Sequence, residues 1–179
     1  MPNAGRLAVG EDMRLDFLRA WNAVFDAAPA LSNTMVLRDY FPENLMLLPG
    51  RRGVAACGLL DFQDAAIGSP AYDLVSLLRD ARRDVPEEIE AAMLERYLAQ
   101  RPEIDRASFL ADYALHGTQR ACRILGVFVR LDRRDGKPHY LQHLPRLWRQ
   151  LETGLAAPGL APVAAWFTRH VPVSVRSGR

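Results

Sequence analysis

The chain has 179 residues, 49% of them apolar and 25% charged, with a net charge of +2. That suits one domain or a large lobe with an ordinary soluble core. No apolar run reaches the ~18 residues of a membrane span, and a small net charge without basic–aromatic interleaving argues against nucleic acid as a partner despite Arg82-Arg83 and Arg133-Arg134.

Arginine supplies nearly all the positive charge, and Lys137 is the only lysine. Cys57 and Cys122 lie far apart with no metal-type spacing, as expected of small buried hydrophobes in a reducing compartment. The opening "MPNAGRLAVGED" lacks the basic and apolar regions of a signal peptide, so the expected location is the cytoplasm.

Met13, Phe17, Leu18, Trp21, Val24 and Phe25 recur at spacings of three and four, which predicts an amphipathic helix from about Glu11 to Ala28. "TMVL" reads as a short strand, and Leu45 to Leu48 as a second. "PGRRG" is a turn, and "VAACGLL", apolar throughout, reads as a third and buried strand. Loop chemistry follows up to Pro70, then helical spacing at Leu74, Leu77, Leu78 and Ala81. "PEEIEAAMLERYLAQ" begins with proline and acids, as a first helical turn does. A long helix is expected from Asp105 to about Leu131, broken by "RRDGKP". Further helices are expected from Tyr140 to Leu151 and around Ala164 to Phe167, and the tail from Pro172 should fray. There is no repeat, low-complexity tract or clear linker.

Two acidic positions, Asp39 and Asp61, each follow an apolar strand, and Asn44 stands five residues after Asp39 in "LRDYFPEN". Taken alone, Asp, Pro and Asn there are turn residues. Asp73 suits either a helix cap or a bond back to a neighbouring loop. His139 and His143 stand four apart on an expected helix, but with no third ligand nearby they do not read as a metal site, and neither do His116 and His170.

Taken together, "LRDYFPEN", "LLDFQD" and "IGSPAYDLVSLLRD" resemble the catalytic segment of the aminoglycoside phosphotransferase and choline kinase group, within the protein-kinase-like fold. The strings "LLDFQDAAIGSPAYDLVSLLRDARRDV" and "QRACRILGVFVRLDRRDGKPHYLQHLPRLW" look most like its bacterial N-acetylmuramate/N-acetylglucosamine anomeric kinase branch. The resemblance runs from the first helix to about Trp166. It implies an α+β, mainly α fold: the C-terminal lobe of a kinase-like protein, with a small β element carrying the catalytic loop (37–44) and the metal-binding loop (61–64). The acceptor-side helices would span about 72–170.

The resemblance assigns Asp39 as catalytic base, Asn44 and Asp61 as Mg²⁺ ligands, and Asp73 as a brace for the catalytic loop. Those types suit phosphoryl transfer, which needs positioning and charge neutralisation. A carboxylate and a carboxamide supply the oxygens Mg²⁺ prefers, and ATP would be the donor. Arg38 is open between pairing with a nearby carboxylate and solvation, and Asp64 between an outer-shell partner and a turn acid. Arg120 and Arg123 fall on the helix that faces the acceptor in relatives, where they would bind sugar or phosphate oxygens or form a solvated face.

Two departures stand out: Leu37 where most relatives have His, and Gln63 where protein kinases have the Gly of Asp-Phe-Gly. In addition, only Met1 to Val36 precede the catalytic loop, with no Gly-rich hairpin and no strand lysine. The expected protein is therefore a C-lobe without its ATP-binding N-lobe: an amino-sugar kinase by family and a poor kinase alone. Apolar surface left by the absent lobe would invite self-association. The alternative is a non-catalytic module that binds a ligand or partner.

Overall fold

The computed structural model describes residues 9–31, 33–172 and 176. The tail expected to fray falls almost wholly outside the described residues.

In chain order come helix α1 (Glu11–Asp26), strands β1 (Thr34–Val36), β2 (Leu45–Leu47), β3 (Cys57–Leu59) and β4 (Ala66–Gly68), then helices α2 (Ala71–Leu78), α3 (Glu87–Ala99), α4 (Arg106–Asp135), α5 (Leu144–Leu155) and α6 (Ala161–His170). The chain is α+β and mainly helical, as expected. Its elements group into two compact units, Ala30–His116 and Met1–Pro29 with Gly117–Arg179, the boundary falling inside α4.

The Ala30–His116 unit holds the β element. β1 pairs antiparallel with β4, Thr34 opposite Gly68 and Val36 opposite Ala66. β2 pairs antiparallel with β3, Leu45 opposite Leu59 and Leu47 opposite Cys57. The core of this unit is made of Ala71, Val75 and Leu78 from α2, Leu94 and Leu98 from α3, and Phe109 and Tyr113 from α4. Each large side chain buried there contributes roughly 1.5–3 kcal/mol. At its edge Glu90 accepts from Arg79 Nε at 2.8 Å and from the Tyr113 hydroxyl at 3.0 Å. Burial, reinforced by the Glu90 charge, pushes the Tyr113 phenol far above its ordinary pKa and keeps it a donor.

The helix ends follow local rules. Glu87, Glu88 and Glu90 sit in the first turn of α3 and Arg96 in its last, each matching the helix dipole. Asp105 accepts the Ser108 N–H at 2.8 Å and caps α4. The opposite end of α4 runs to Asp135, past the expected Leu131. It stops at Gly136 (φ 62), where Lys137 N–H returns to the Leu131 carbonyl at 3.1 Å.

In the other unit α1 packs on α6. Phe17 meets Trp166 edge-on at 4.8 Å, and Trp166 Nε1–H donates to the Met13 carbonyl at 3.2 Å. Leu147 and Leu151 of α5 and Val163 and Phe167 of α6 are buried.

Four local expectations are corrected. Cys57, expected to be buried, is exposed. Ala66–Gly68 is a strand where a loop was expected. "VAACGLL" is a 3₁₀ turn (Gly53–Ala56) followed by the short β3, and it is not buried: Val54 is 94% exposed and Leu59 42%. His139 and His143 stand in a 3₁₀ segment, Pro138–His143, before α5 begins, so they do not share an α-helical face.

Candidate active site

The catalytic-loop candidate leaves β1 through a tight bend. Asp39 N–H bonds to the Leu37 carbonyl at 2.8 Å, closing a γ-turn around Arg38, whose φ is 69°. The positive-φ form of this turn is rare and strained. Asp39 is half-buried at the tip, and its carbonyl accepts from Phe41 N–H at 3.2 Å and Asn44 Nδ2 at 2.9 Å. Pro42–Asn44 forms one 3₁₀ turn and delivers the chain into β2.

The second loop leaves β3 at Asp61, φ 55°. Among the described residues Arg38 and Asp61 alone combine a side chain with positive φ. Each such residue costs of order 1–3 kcal/mol, and strain of this kind gathers at functional sites. Asp61 Oδ1 accepts from Gln63 Nε2 at 2.7 Å, and Oδ2 lies 3.4 Å from Asn44 Nδ2. The Leu60 N–H bonds to the Asn44 carbonyl at 2.9 Å. The two loops are thus joined through Asn44, by backbone and side chain together. Asp64 takes part through its carbonyl, which accepts from Arg38 Nη1 at a long 3.5 Å.

Helix α2 holds the first loop by its backbone. Asp73 accepts the Leu37 N–H at 2.7 Å on Oδ2 and the Arg38 N–H at 3.0 Å on Oδ1. Ser76, one turn on and fully buried, donates Oγ–H to the Arg38 carbonyl at 3.1 Å. Spacing of three puts both on one helix face. Of the two uses open to Asp73 in the sequence, the bond back to the loop is the one it makes. Just before the helix start, Ser69 Oγ accepts the Ala71 N–H at 3.0 Å and donates to Asp112.

A family model described as the phosphotransferase enzyme family matches residues 2–110, more than half of the chain. The chain belongs to that family. It is 51% identical over 156 residues to an N-acetylmuramate/N-acetylglucosamine kinase of Caulobacter vibrioides, covering 87% of this chain and 43% of the relative. Proteins of the same name from Pseudomonas aeruginosa and Neisseria meningitidis are each 36% identical, over 83% and 80% of the chain and 45% and 44% of their own length. The chain therefore spans under half the length of these curated relatives.

Within this phosphotransferase-family chain, three groups at the first loop escaped sequence reasoning. Ser76 is one. The others are Arg82, whose guanidinium lies 4.9 Å from the Phe41 ring centroid, and Arg83, which pairs with Glu43 at 3.3 Å. The basic doublet could be seen in the sequence, but its partners Phe41 and Glu43 are 41 and 40 residues away. Arg120 and Arg123 belong to the other unit. Arg120 is 7% exposed, which removes the solvated face for it, whereas Arg123 is exposed.

Proposed function

We propose that the chain carries the phosphoryl-transfer centre of an ATP-dependent kinase whose acceptor is an amino-sugar hydroxyl. The carrying observation is the meeting of Asn44 and Asp61, Nδ2 to Oδ2 at 3.4 Å, between two loops strained at Arg38 and Asp61. Family membership and the names of the relatives support the reaction class and the amino sugar.

Asp39 is the base in this proposal. As the acceptor oxygen attacks phosphorus, its proton passes to the Asp39 carboxylate, a role that contributes roughly 10²–10⁴-fold. Asn44 and Asp61 are the metal ligands. With Nδ2 of Asn44 engaged by the Asp39 carbonyl, Oδ1 is left as its ligand atom. No cluster of three or more His, Cys, Asp or Glu suited to a metal occurs among the described residues. One carboxylate and one carboxamide still fit Mg²⁺, which binds through few protein oxygens and completes its octahedron with waters and phosphate. Bound there, the ion would neutralise charge on the transferring phosphoryl group. Asp73 and Ser76 hold the Asp39 loop in register.

The test is Asp39→Asn in the native protein that carries this chain. Turnover should fall at least 100-fold with Mg·ATP binding largely kept, whereas Asp61→Ala should weaken metal-dependent nucleotide binding. Turnover near wild type for Asp39→Asn would remove the base. The 179 residues by themselves should bind Mg·ATP weakly and transfer nothing measurable to N-acetylglucosamine or N-acetylmuramate, since Lys137 follows the α4 C-terminus rather than standing on a strand. Sustained turnover with micromolar ATP affinity would contradict that.

The exposed apolar side chains favour the alternative of a binding module. Val54, Leu47, Ile67 and Met35 are 94%, 80%, 73% and 67% exposed, all on the β element. Concentration-dependent self-association that Leu47→Glu abolishes would support it, and a monomer at high concentration would not.

A further inference from the structure

Behind the strained turn lies a cavity of about 190 Å³, framed by the β1–β4 pair at Val36 and Gly68 and by Arg38, Ser69, Tyr72 and His116. It is smaller than the roughly 300–1,000 Å³ of whole small-molecule sites, so it suits one substituent of a ligand. Arg38 directly precedes the proposed base. Adjacent residues keep their Cα atoms about 3.8 Å apart, so the cavity lined by Arg38 adjoins the turn that carries Asp39.

The charges around the cavity are one-sided. Arg38 is exposed, and among the described residues no carboxylate lies within ion-pair distance of it. The nearby acids are committed elsewhere. Asp73 faces the Leu37 and Arg38 amides. Asp112 is 5% exposed and takes Ser69 Oγ–H, with His116 Nε2 at 3.4 Å. Asp64 offers Arg38 its carbonyl and not its carboxylate. The Tyr72 ring stands edge-on to His116 at 5.6 Å and forms an aromatic wall. The result is a small, mostly apolar recess with a guanidinium whose charge, among the described residues, no carboxylate meets.

We propose that this recess receives the carboxylate-bearing ether substituent of the acceptor amino sugar, with Arg38 as its charge partner. This rests on the amino-sugar kinase proposed above. The names of the relatives pair two acceptors, N-acetylmuramate and N-acetylglucosamine. They share a ring, and the first adds a lactyl ether ending in a carboxylate. A planar guanidinium binds a carboxylate through two parallel N–H···O bonds. Arg38 therefore sets the preference between the two sugars.

The experiment compares kcat/KM of the native protein for N-acetylmuramate, for its lactyl amide and for N-acetylglucosamine, and repeats it with Arg38→Gln. In the wild type the carboxylate should be preferred over the amide by about 10- to 100-fold, the range of a charge-assisted bond. Arg38→Gln should collapse that ratio toward one. Turnover on both sugars without discrimination between acid and amide overturns the subsite and leaves the kinase standing. So does an equal fall on all three acceptors in Arg38→Gln, which would place Arg38 on the phosphate or the loop backbone. A wild type that phosphorylates neither sugar overturns the kinase and the subsite together. The acid–amide comparison in the wild type needs no variant to fold.

Discussion

Replacing Asp73 with alanine should free the backbone of the loop at Leu37 and Arg38 while leaving the core of the Ala30–His116 unit in place. The Leu37 N–H, part-buried, bonds to the carboxylate at 2.7 Å, and the Arg38 N–H, more exposed, at 3.0 Å. A bond to a charged group contributes about 1.5–3 kcal/mol when shielded, and the exposed one nearer 0.5–1.5. The turn loses about 2–4 kcal/mol of support while it still carries the strain of Arg38 at φ 69°, of order 1–3 kcal/mol. Amide hydrogen exchange reads this directly. Since 1.4 kcal/mol is tenfold, Leu37 and Arg38 should exchange about 30- to 700-fold faster, with Val75 and Phe109 close to wild type. Asp73→Asn keeps one acceptor oxygen and should fall between. Unchanged exchange at Leu37 and Arg38 would refute the brace. Equal acceleration through α2 would show that Asp73 supports the helix and not the loop.

Three further outcomes follow from the packing and the titrating groups. A Cβ at Gly154 would sit 1.9 Å from Oγ1 of the buried Thr118, so Gly154→Ala should lower stability by about 1–3 kcal/mol in urea denaturation despite its better helix propensity; an unchanged midpoint would contradict that contact. Burial holds the His116 pKa below its ordinary value, opposed by the Asp112 carboxylate. The unfolded chain therefore takes the proton first, and stability should be full above the ordinary value near 6.5 and fall as pH drops below it; denaturation midpoints at pH 7.5 and 5, flattened in His116→Gln, check the sign. Burial also pushes the Cys122 thiol up to about 11 while Cys57 is exposed, so a thiol reagent at pH 8 should label Cys57 fast and Cys122 only on unfolding. Two fast thiols in the native chain would contradict the burial.

Elements long enough to show a period could be read directly. α1, α3 and α4 repeat their apolar residues over three or more turns, and their ends differ from expectation by a few residues. The strands, at three residues each, are too short for alternation to declare itself, and β4 is only Ala-Ile-Gly. "VAACGLL" misled because apolar composition was equated with burial, while Val54 and Leu59 face solvent. At the site, Asp39, Asn44 and Asp61 stood out because phosphoryl transfer restricts residue types. Spacing and resemblance predict that the Asp39 and Asp61 carboxylates and the Asn44 amide converge; the contacts found are those of Asn44 Nδ2 with the Asp39 carbonyl and with Asp61 Oδ2. Ser76 gave no such signal. A serine inside a helix is ordinary until the Arg38 carbonyl is found 3.1 Å from it.

The brace on the first loop touches amide hydrogens and a carbonyl, never the side chains of Leu37 or Arg38. Its geometry is indifferent to what those side chains are. Position 37 can therefore hold leucine, or another side chain, without loss of the brace. Position 38 gains a different freedom. With its shape imposed by an eight-residue helix, it is open to drift in charge and size beside Asp39, so on the proposed reading a lineage could retune acceptor choice there by single substitutions without rebuilding the loop.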